Sequence, residues 1–511
     1  MKRRQFLSLS AVLATLAATG SPQRSMAAGT DVLVIGGQTE YLPLNPESAR
    51  SRFYTSAEVS ETLVWLDYDM VLQPCLATAW ERVSPFTWRF TLRQGVTFHD
   101  GTALDAAAVK NSLEKITALM PYARDLLQIK ELRTPSAQTI EIETLAPFAS
   151  LPNQLTDAVT VIHAPSAFDD AGKFAQPVGT GPWKYVEYRP QDRTIVERFD
   201  GYRGVAPAFA RIEYVMIPDD SARVIALEAA EVDILMDLPR GDAGRLSQTD
   251  GISVAQAPIS GINYGAFNCA EGRPLHDVRV RRAINLLVDR QLVVDGSLDG
   301  YGRPAWQFFA PGLSWLPQTV TPYSYDPAAA AGLLEEAGYQ KVDGQWQKEG
   351  QPLVLKVQAY NNGTGNGFIA EVMTALLNRE GVATEINIGT YDGMVEFARR
   401  GDYDIAVQYW TPELTADPDL HLSSQFKSDA GMNWQSWNNP RFDELVDLGR
   451  TLDRGPEWDK VYSGVQDILQ DDAPIIPLVH AVYLNALRSD LRGYRIHPTR
   501  FFFNFKEVSR G

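Results

Sequence analysis

Thr87-Trp88-Arg89-Phe90-Thr91-Leu92-Arg93-Gln94-Gly95-Val96-Thr97-Phe98-His99-Asp100-Gly101-Thr102 opens as a strand and closes as a chain of turns. Trp88, Phe90 and Leu92 alternate with Arg89, Thr91 and Arg93, the period of two expected of a strand with one face in a core and one in water. Gly95 and Gly101 then suit tight turns, because glycine enters left-handed backbone without a Cβ clash. Gln138-Thr139-Ile140-Glu141-Ile142-Glu143 alternates in the same way and predicts a second half-wet strand.

Upstream, Asp31-Val32-Leu33-Val34-Ile35-Gly36-Gly37 is apolar throughout and predicts a buried strand ending at a glycine turn. A strand followed by glycines also raises a dinucleotide site, but the spaced third glycine that would open a helix is missing. Helices carry equally clear punctuation. Asp326-Pro327 precedes Ala328 to Ala337 and then Gly338, placing cap, first-turn proline and terminating glycine in order, and Asn439-Pro440 opens another helix the same way. From Asp277 to Val288 the apolar residues 280, 283, 284, 287 and 288 line one helix face, which assigns Arg279, Arg281 and Arg282 to solvent. Strands and helices interleave over the whole length without repeats, so the class is mixed α/β.

The chain begins Met1-Lys2-Arg3-Arg4-Gln5-Phe6-Leu7 and runs into the small, apolar stretch Leu9 to Ala18. That is a signal-peptide pattern, too short to cross a bilayer, with Ser25-Met26-Ala27 placing cleavage after Ala27 or Ala28. The paired arginines resemble a twin-arginine signal, which implies export in the folded state; an ordinary secretory signal that happens to carry two arginines is the competing reading. No cysteine lies near the cleavage point, which speaks against a lipoprotein anchor and for a protein free in the periplasm.

The 511 residues carry a net charge of -16, with 45% hydrophobic and 22% charged residues. This suits a globular protein of two or three domains, and the acidic balance argues against a nucleic-acid partner, which needs concentrated Lys and Arg. Cys75 and Cys269 read as small apolar residues rather than a bridge. The six histidines are scattered without metal-site spacing. Ser112-Leu113-Glu114-Lys115 has the serine and lysine spacing of penicillin-recognising enzymes but lacks their companion elements. Gly363 to Gly367 lacks the lysine of a phosphate loop, and Asp219-Asp220 and Asp471-Asp472 read as helix caps or solvated turns. Nothing demands catalysis, a metal or a cofactor.

Several strings in one order resemble the peptide and nickel family of periplasmic binding proteins that serve ABC importers. They are Pro74 to Glu81 with Thr87 to Thr102; Pro177-Val178-Gly179-Thr180-Gly181-Pro182-Trp183; Glu231-Val232-Asp233-Ile234; Val278 to Ile284 with Asp289-Arg290; Tyr325-Asp326-Pro327 with Ala337-Gly338-Tyr339; and Ala473-Pro474-Ile475-Ile476-Pro477. The resemblance implies a two-lobed α/β periplasmic binding protein fold, with mixed sheets joined by a hinge and an extra subdomain inserted in the first lobe. After the signal peptide, residues 1–28, lobe I would take 29–50, 178–264 and 479–511, the inserted subdomain 51–177, and lobe II 265–478.

The resemblance also directs attention to the loop from Tyr409 to Asp419. Peptide-binding relatives have a tryptophan and an acid there, the acid pairing with the peptide amino group; Trp410 and Glu413 match these, and Asp417 lies farther along. A solvated turn, and core packing for Trp410, are the competing readings. Tyr41 and Tyr264 fall in segments that face the cleft in relatives. Tyr122 matches an aromatic of nickel-chelate relatives. Where those relatives carry arginines this chain has Leu119 and Leu155-Thr156-Asp157, with Arg124 nearby. Ala359 stands where an arginine would grip a dipeptide carboxylate. The implied function is therefore capture of a peptide or peptide-like, amine-bearing solute by a monomer that delivers it to the ABC permease subunits of the inner membrane. A nickel or other metal–organic chelate is the alternative, sugar oligomers a further one, and a secreted hydrolase on the same fold the remote one.

Overall fold

The computed structural model describes residues 31–39, 58–310, 323–361, 365–412, 414–500 and 502–511. Its principal sheet runs, from one edge to the other, through Ala383–Gly389, Val354–Tyr360, Ile405–Trp410, Ile252–Phe267, Ile475–Arg488, Ile234–Leu235, Val32–Gly37, Arg211–Met216, Arg193–Arg198 and Trp183–Arg189. The two long central strands, Ile252–Phe267 and Ile475–Arg488, are antiparallel partners. Residues 252–258 pair with 488–482 and residues 262–266 with 480–475, and the register shifts between Pro258 and Ile262. Proline at 258 cannot donate a ladder hydrogen bond, which fits its place at the break.

On either side of that break the sheet belongs to a different core. Val32–Gly37 is buried on both faces, as its unbroken apolar run requires. Leu33 and Ile35 pack with Ile212, Tyr214 and Phe505 on one face. Val34 packs with Val224, Leu227 and Leu484 on the other. Asp233, in one of the shared strings, accepts from the Val34 amide at 2.9 Å and from Arg510 at 2.7 Å, tying the C-terminus to this strand. A larger core spans Ile262 to Val479 and includes the strands 354–360 and 405–410.

A third core, from Leu63 to Val178, lies under a separate four-stranded sheet ordered Ala77–Ser84, Thr87–Leu92, Thr139–Thr144, Ile129–Ser136. Trp88, Phe90, Leu92, Ile140 and Ile142 face the helix Ala106–Leu119. The outward residues form an ion-pair ladder in which Arg89 and Arg133 both reach Glu141. The two alternating strands of the sequence therefore sit side by side, Phe90 opposite Ile140.

Helix starts follow their caps. Asp326 accepts from the amides of Ala328 and Ala329 at the head of Pro327–Glu336, and Asn439 from Arg441 and Phe442 at the head of Pro440–Gly449. Asp219 caps Asp220–Glu228. Asp472, by contrast, ends the helix Pro456–Asp472 and accepts from the Trp437 indole and the Asn439 amide, so it is neither a cap nor a solvated turn.

The helix Val278–Leu287 departs from its expected wet face. Arg281 is 5% exposed. Its guanidinium donates to the carbonyls of Leu275, His276, Asp472 and Ala473, groups that helix ends leave without intrahelical partners. Arg279 and Arg282 remain near the surface, on Asp277 and on the Asp471 carbonyl. Both cysteines are free thiols.

Gly95 and Gly101 have φ of 71° and 84°, the left-handed values that turns require. The glycines of Gly179-Thr180-Gly181-Pro182 serve another purpose. A Cβ on Gly181 would stand 1.9 Å from the Glu58 carbonyl oxygen, so this string is a close crossing of two backbones. Gly181→Ala is expected to lower stability by at least about 2 kcal/mol, read as a fall in the urea midpoint. Gly332→Ala, on an open helix face where the new Cβ meets nothing within 4 Å, should hold or raise it.

Candidate binding cleft

Six strands beside the central pair point their carboxyl ends at its break. Val32–Gly37 is parallel to Arg211–Met216 and to Ile234–Leu235, and Leu235 lies beside Ala486 with the chain heading toward residue 482. In the other half Val354–Tyr360 is parallel to Ala383–Gly389 and to Ile405–Trp410, and Trp410 pairs with Ile262. Strand carboxyl ends leave unpaired backbone groups and turns, and in open α/β sheets solutes bind in the crevice beyond them. Here two such crevices face each other across residues 259–261 and 480–482.

A cavity of about 600 Å³ opens at this seam. Gln38, Arg240 and Tyr483 line it from one side, and Ser297, Asn361 and Phe368 from the other. Three carboxylates, Asp220, Asp237 and Asp299, share it with Arg240 and Arg223. Arg223 is 1% exposed: its terminal nitrogens donate to the carbonyls of Ile217, Pro218 and Asp237 and pair with Asp220 at 2.7 Å. Burial lowers the Arg240 pKa from its ordinary value, opposed by the charges of Asp299 and Asp237. Phe368, at 62% exposed, offers an apolar surface on the first turn of Asn366–Arg379.

The loop after Ile405–Trp410 is not among the residues that line this cavity. The half-buried Trp410 donates its indole N–H to Gln408 Oε1 at 3.0 Å, and its ring meets the edge of His421 at 5.5 Å. Asp417 is 2% exposed and 3.8 Å from Arg454. Burial raises its carboxyl to about 6, against the lowering effect of Arg454 and with a further raising effect of Asp419. Against this loop lies the short helix Leu151–Gln154: Asn153 donates to the Thr415 carbonyl at 2.9 Å. Four residues beyond Asn153, Asp157 accepts from the Tyr122 hydroxyl at 3.0 Å. The loop of Trp410 and Asp417 thus touches the segment whose Asp157 holds the Tyr122 hydroxyl.

The remaining expected contacts are placed differently. Tyr264 lies in the larger core with its ring edge-on to Phe308 and its hydroxyl donating to Gln425 at 3.1 Å. Arg124 is exposed and paired with Asp125. Tyr41 and Glu413 lie outside the described residues. Ala359 is buried in the larger core, whereas Asn361, two residues on, lines the cavity. Arg240, Asp299 and Tyr483 carried no signal in the sequence: each becomes a lining residue only because strand ends distant along the chain converge.

Two halves with separate cores, joined by paired crossing strands and facing each other over a charged cavity, define a hinged solute-binding protein. The model of the "Bacterial extracellular solute-binding proteins, family 5 Middle" matches residues 71–433, and the chain belongs to that family. Among relatives, it is 27% identical to the glutathione-binding protein GsiB of Salmonella paratyphi A, over 93% of this chain and 94% of that one. It is 25% identical to the dipeptide-binding protein of Escherichia coli K12, over 83% and 84%. In fold it is similar to NikA from Brucella suis in complex with Fe(III)-EDTA, with a TM-score of 0.86 at 24% identity over 94% of this chain and all of that one. It is also similar to the oligopeptide-binding protein AppA of Bacillus subtilis in complex with a nonapeptide, with a TM-score of 0.75 at 21% identity over 94% and 99%.

Asp417 gives a pH test of this loop. Its carboxyl is raised in the folded state, so its contribution to stability is present below the unfolded value near 3.8 and is lost as pH rises through about 6. Asp417→Asn removes the charge at every pH. Relative to this variant, the native chain should gain melting temperature as the buffer goes from pH 7.5 to 5; a constant gap would show that the carboxylate is not held against its charge.

Proposed function

We propose that the chain is the extracytoplasmic substrate-binding component of an ABC importer, capturing a peptide or peptide-like, amine-bearing small solute between its two halves and delivering it to the membrane permease. The observation that carries this reading is the cavity of about 600 Å³ at the seam, with acids from both halves and a cation from one. Its volume suits a small organic solute. Asp220, Asp237 and Asp299 offer partners to an ammonium, which needs a charged neighbour when desolvated, and Arg240 offers one to a carboxylate. A solute that touches both halves stabilises their closed arrangement by its differential affinity for that state, and the closed state is what a permease can distinguish. The relatives named for glutathione and dipeptide binding support the same solute class.

The three cores support a division into lobe I (29–50, 178–264 and 479–511), an inserted subdomain (51–177) and lobe II (265–478). Residues 1–28 act as a twin-arginine signal that exports the folded monomer to the periplasm, and the protein is a carrier and not an enzyme. No helix among the described residues is long and apolar enough to cross a membrane.

Titration calorimetry with glutathione and a dipeptide mixture should give saturable heats, and the absence of any binding would remove the peptide reading. For the tightest peptide found, Arg240→Ala should weaken binding at least about tenfold, the equivalent of ~1.4 kcal/mol. Fusing residues 1–28 to a reporter tests the signal: export should fail in a strain lacking the twin-arginine machinery.

A further inference from the structure

Apart from the crossing strands, the two halves meet at a second place. The subdomain that carries the four-stranded sheet reaches the larger core through Arg82 and the segment 148–154. Arg82 donates to the Thr451 carbonyl at 3.0 Å and pairs with Asp453 at 2.9 Å. The Ala149 amide donates to the Arg450 carbonyl at 2.8 Å. Asn153 donates to the Thr415 carbonyl, and the Thr415 hydroxyl to Gln154 Oε1 at 3.3 Å. The Arg450 guanidinium covers the Phe148 ring at 4.8 Å.

Each side is braced from within its own body. The Trp88 indole donates to the Phe148 carbonyl at 2.8 Å, fixing that segment to its sheet. Opposite, Arg454 donates to the Ala416 carbonyl, Arg450 pairs with Asp419 at 3.3 Å, and the Asp419 amide donates to Asp417 at 3.0 Å. The two surfaces are thus preformed, and apart from Leu420, which packs on the subdomain core, the bonds between them are mostly polar and directed at backbone carbonyls. Polar contacts between preformed bodies separate at low cost, because water replaces each bond, whereas an apolar seam would not.

We propose that Arg82 and Phe148–Gln154 on one side, and Thr415 and Arg450–Asp453 on the other, form a reversible clasp that sets how far the cleft closes. The segments it joins run on to Asp157, which holds the Tyr122 hydroxyl, and to Trp410 and Asp417, so engaging the clasp brings these groups together and releasing it parts them. The inference rests on the two halves moving about the crossing strands.

Its test needs no solute and so stands apart from the calorimetry. In a Cys75→Ala, Cys269→Ala background, nitroxides on Asp125→Cys and Glu444→Cys, both exposed, report the distance between the halves by double electron–electron resonance. The unsubstituted clasp should give a dominant short distance. Arg82→Ala with Asn153→Ala should raise the long-distance population at least fivefold, Arg82→Lys should fall between, and Arg89→Ala, on the outward ladder, should change nothing. An unchanged distribution in the double variant, with its melting temperature retained, would overturn the clasp; a single broad distribution in every chain, the unsubstituted one included, would overturn the motion itself.

Discussion

Between Pro258 and Ile262 the ladder joining the two central strands loses its register, and the rest of the molecule is arranged about that interruption. A continuous antiparallel pair of this length would weld the halves into one twisted slab. With the ladder broken, the backbone of three residues on one strand carries the connection without regular pairing, and rotation there disturbs few hydrogen bonds. The Ser260 amide and hydroxyl both donate to the Pro498 carbonyl, so the break is tethered to the C-terminal segment and not left to solvent. Ile259, Ala481 and Tyr483 form a small apolar cluster around it, with Tyr409 packed alongside.

A movable joint requires rigid parts on each side, and buried cations supply much of that rigidity. Arg281 and Arg290 both grip the start of the strand Ile475–Arg488: Arg281 through the carbonyls of Asp472 and Ala473, Arg290 through that of Pro477. Arg290 also donates to the Val288 and Tyr323 carbonyls and to the Asn285 side chain, and burial pulls its pKa down to about 9. A guanidinium presents five donors in a fixed plane, so one side chain can satisfy several helix-end and strand-end carbonyls at once. Removing such a group would leave those carbonyls buried and unpaired, a far larger cost than the net value of any single bond. Arg223 does the same for the strand end at Ile217 and Pro218 in the other half.

Local rules made most of the framework legible. The apolar run at 32–37, the alternation at 87–92 and 139–144, and the caps Asp326 and Asn439 are each dictated by neighbours within a few residues, and the structure has them where the pattern puts them. What sequence could not reveal depends on contacts between distant segments. Arg281 looks solvent-facing by periodicity, because nothing within its helix announces the carbonyls of residues 472 and 473. The Gly179-Thr180-Gly181-Pro182 string reads as a turn until the backbone of Glu58 and Val59 is seen crossing it. For the cleft, the resemblance selected the loop of Trp410 and the segment of Tyr122, which do adjoin, but not Arg240, Asp299 or Asn361, which three separate strand ends and helices bring to one cavity.

The contrast between kinds of contact explains how one chain can be both well packed and mobile. Within each core the burial is apolar and nearly complete, and separating those side chains would expose them at about 25 cal/mol for every Å². Across the seam and at the Arg82–Asp453 contact most of the groups are charged or hydrogen-bonding, and water is an acceptable substitute partner for these. The free-energy difference between closed and open arrangements is therefore small beside the stability of either half. A solute contributing a few charge-assisted bonds to both sides is then sufficient to decide the population, since an equilibrium shifts only by the ligand's differential affinity for its two states. Apolar cohesion within the halves and polar contact between them are the same division that the strand break makes in the backbone, expressed in side chains.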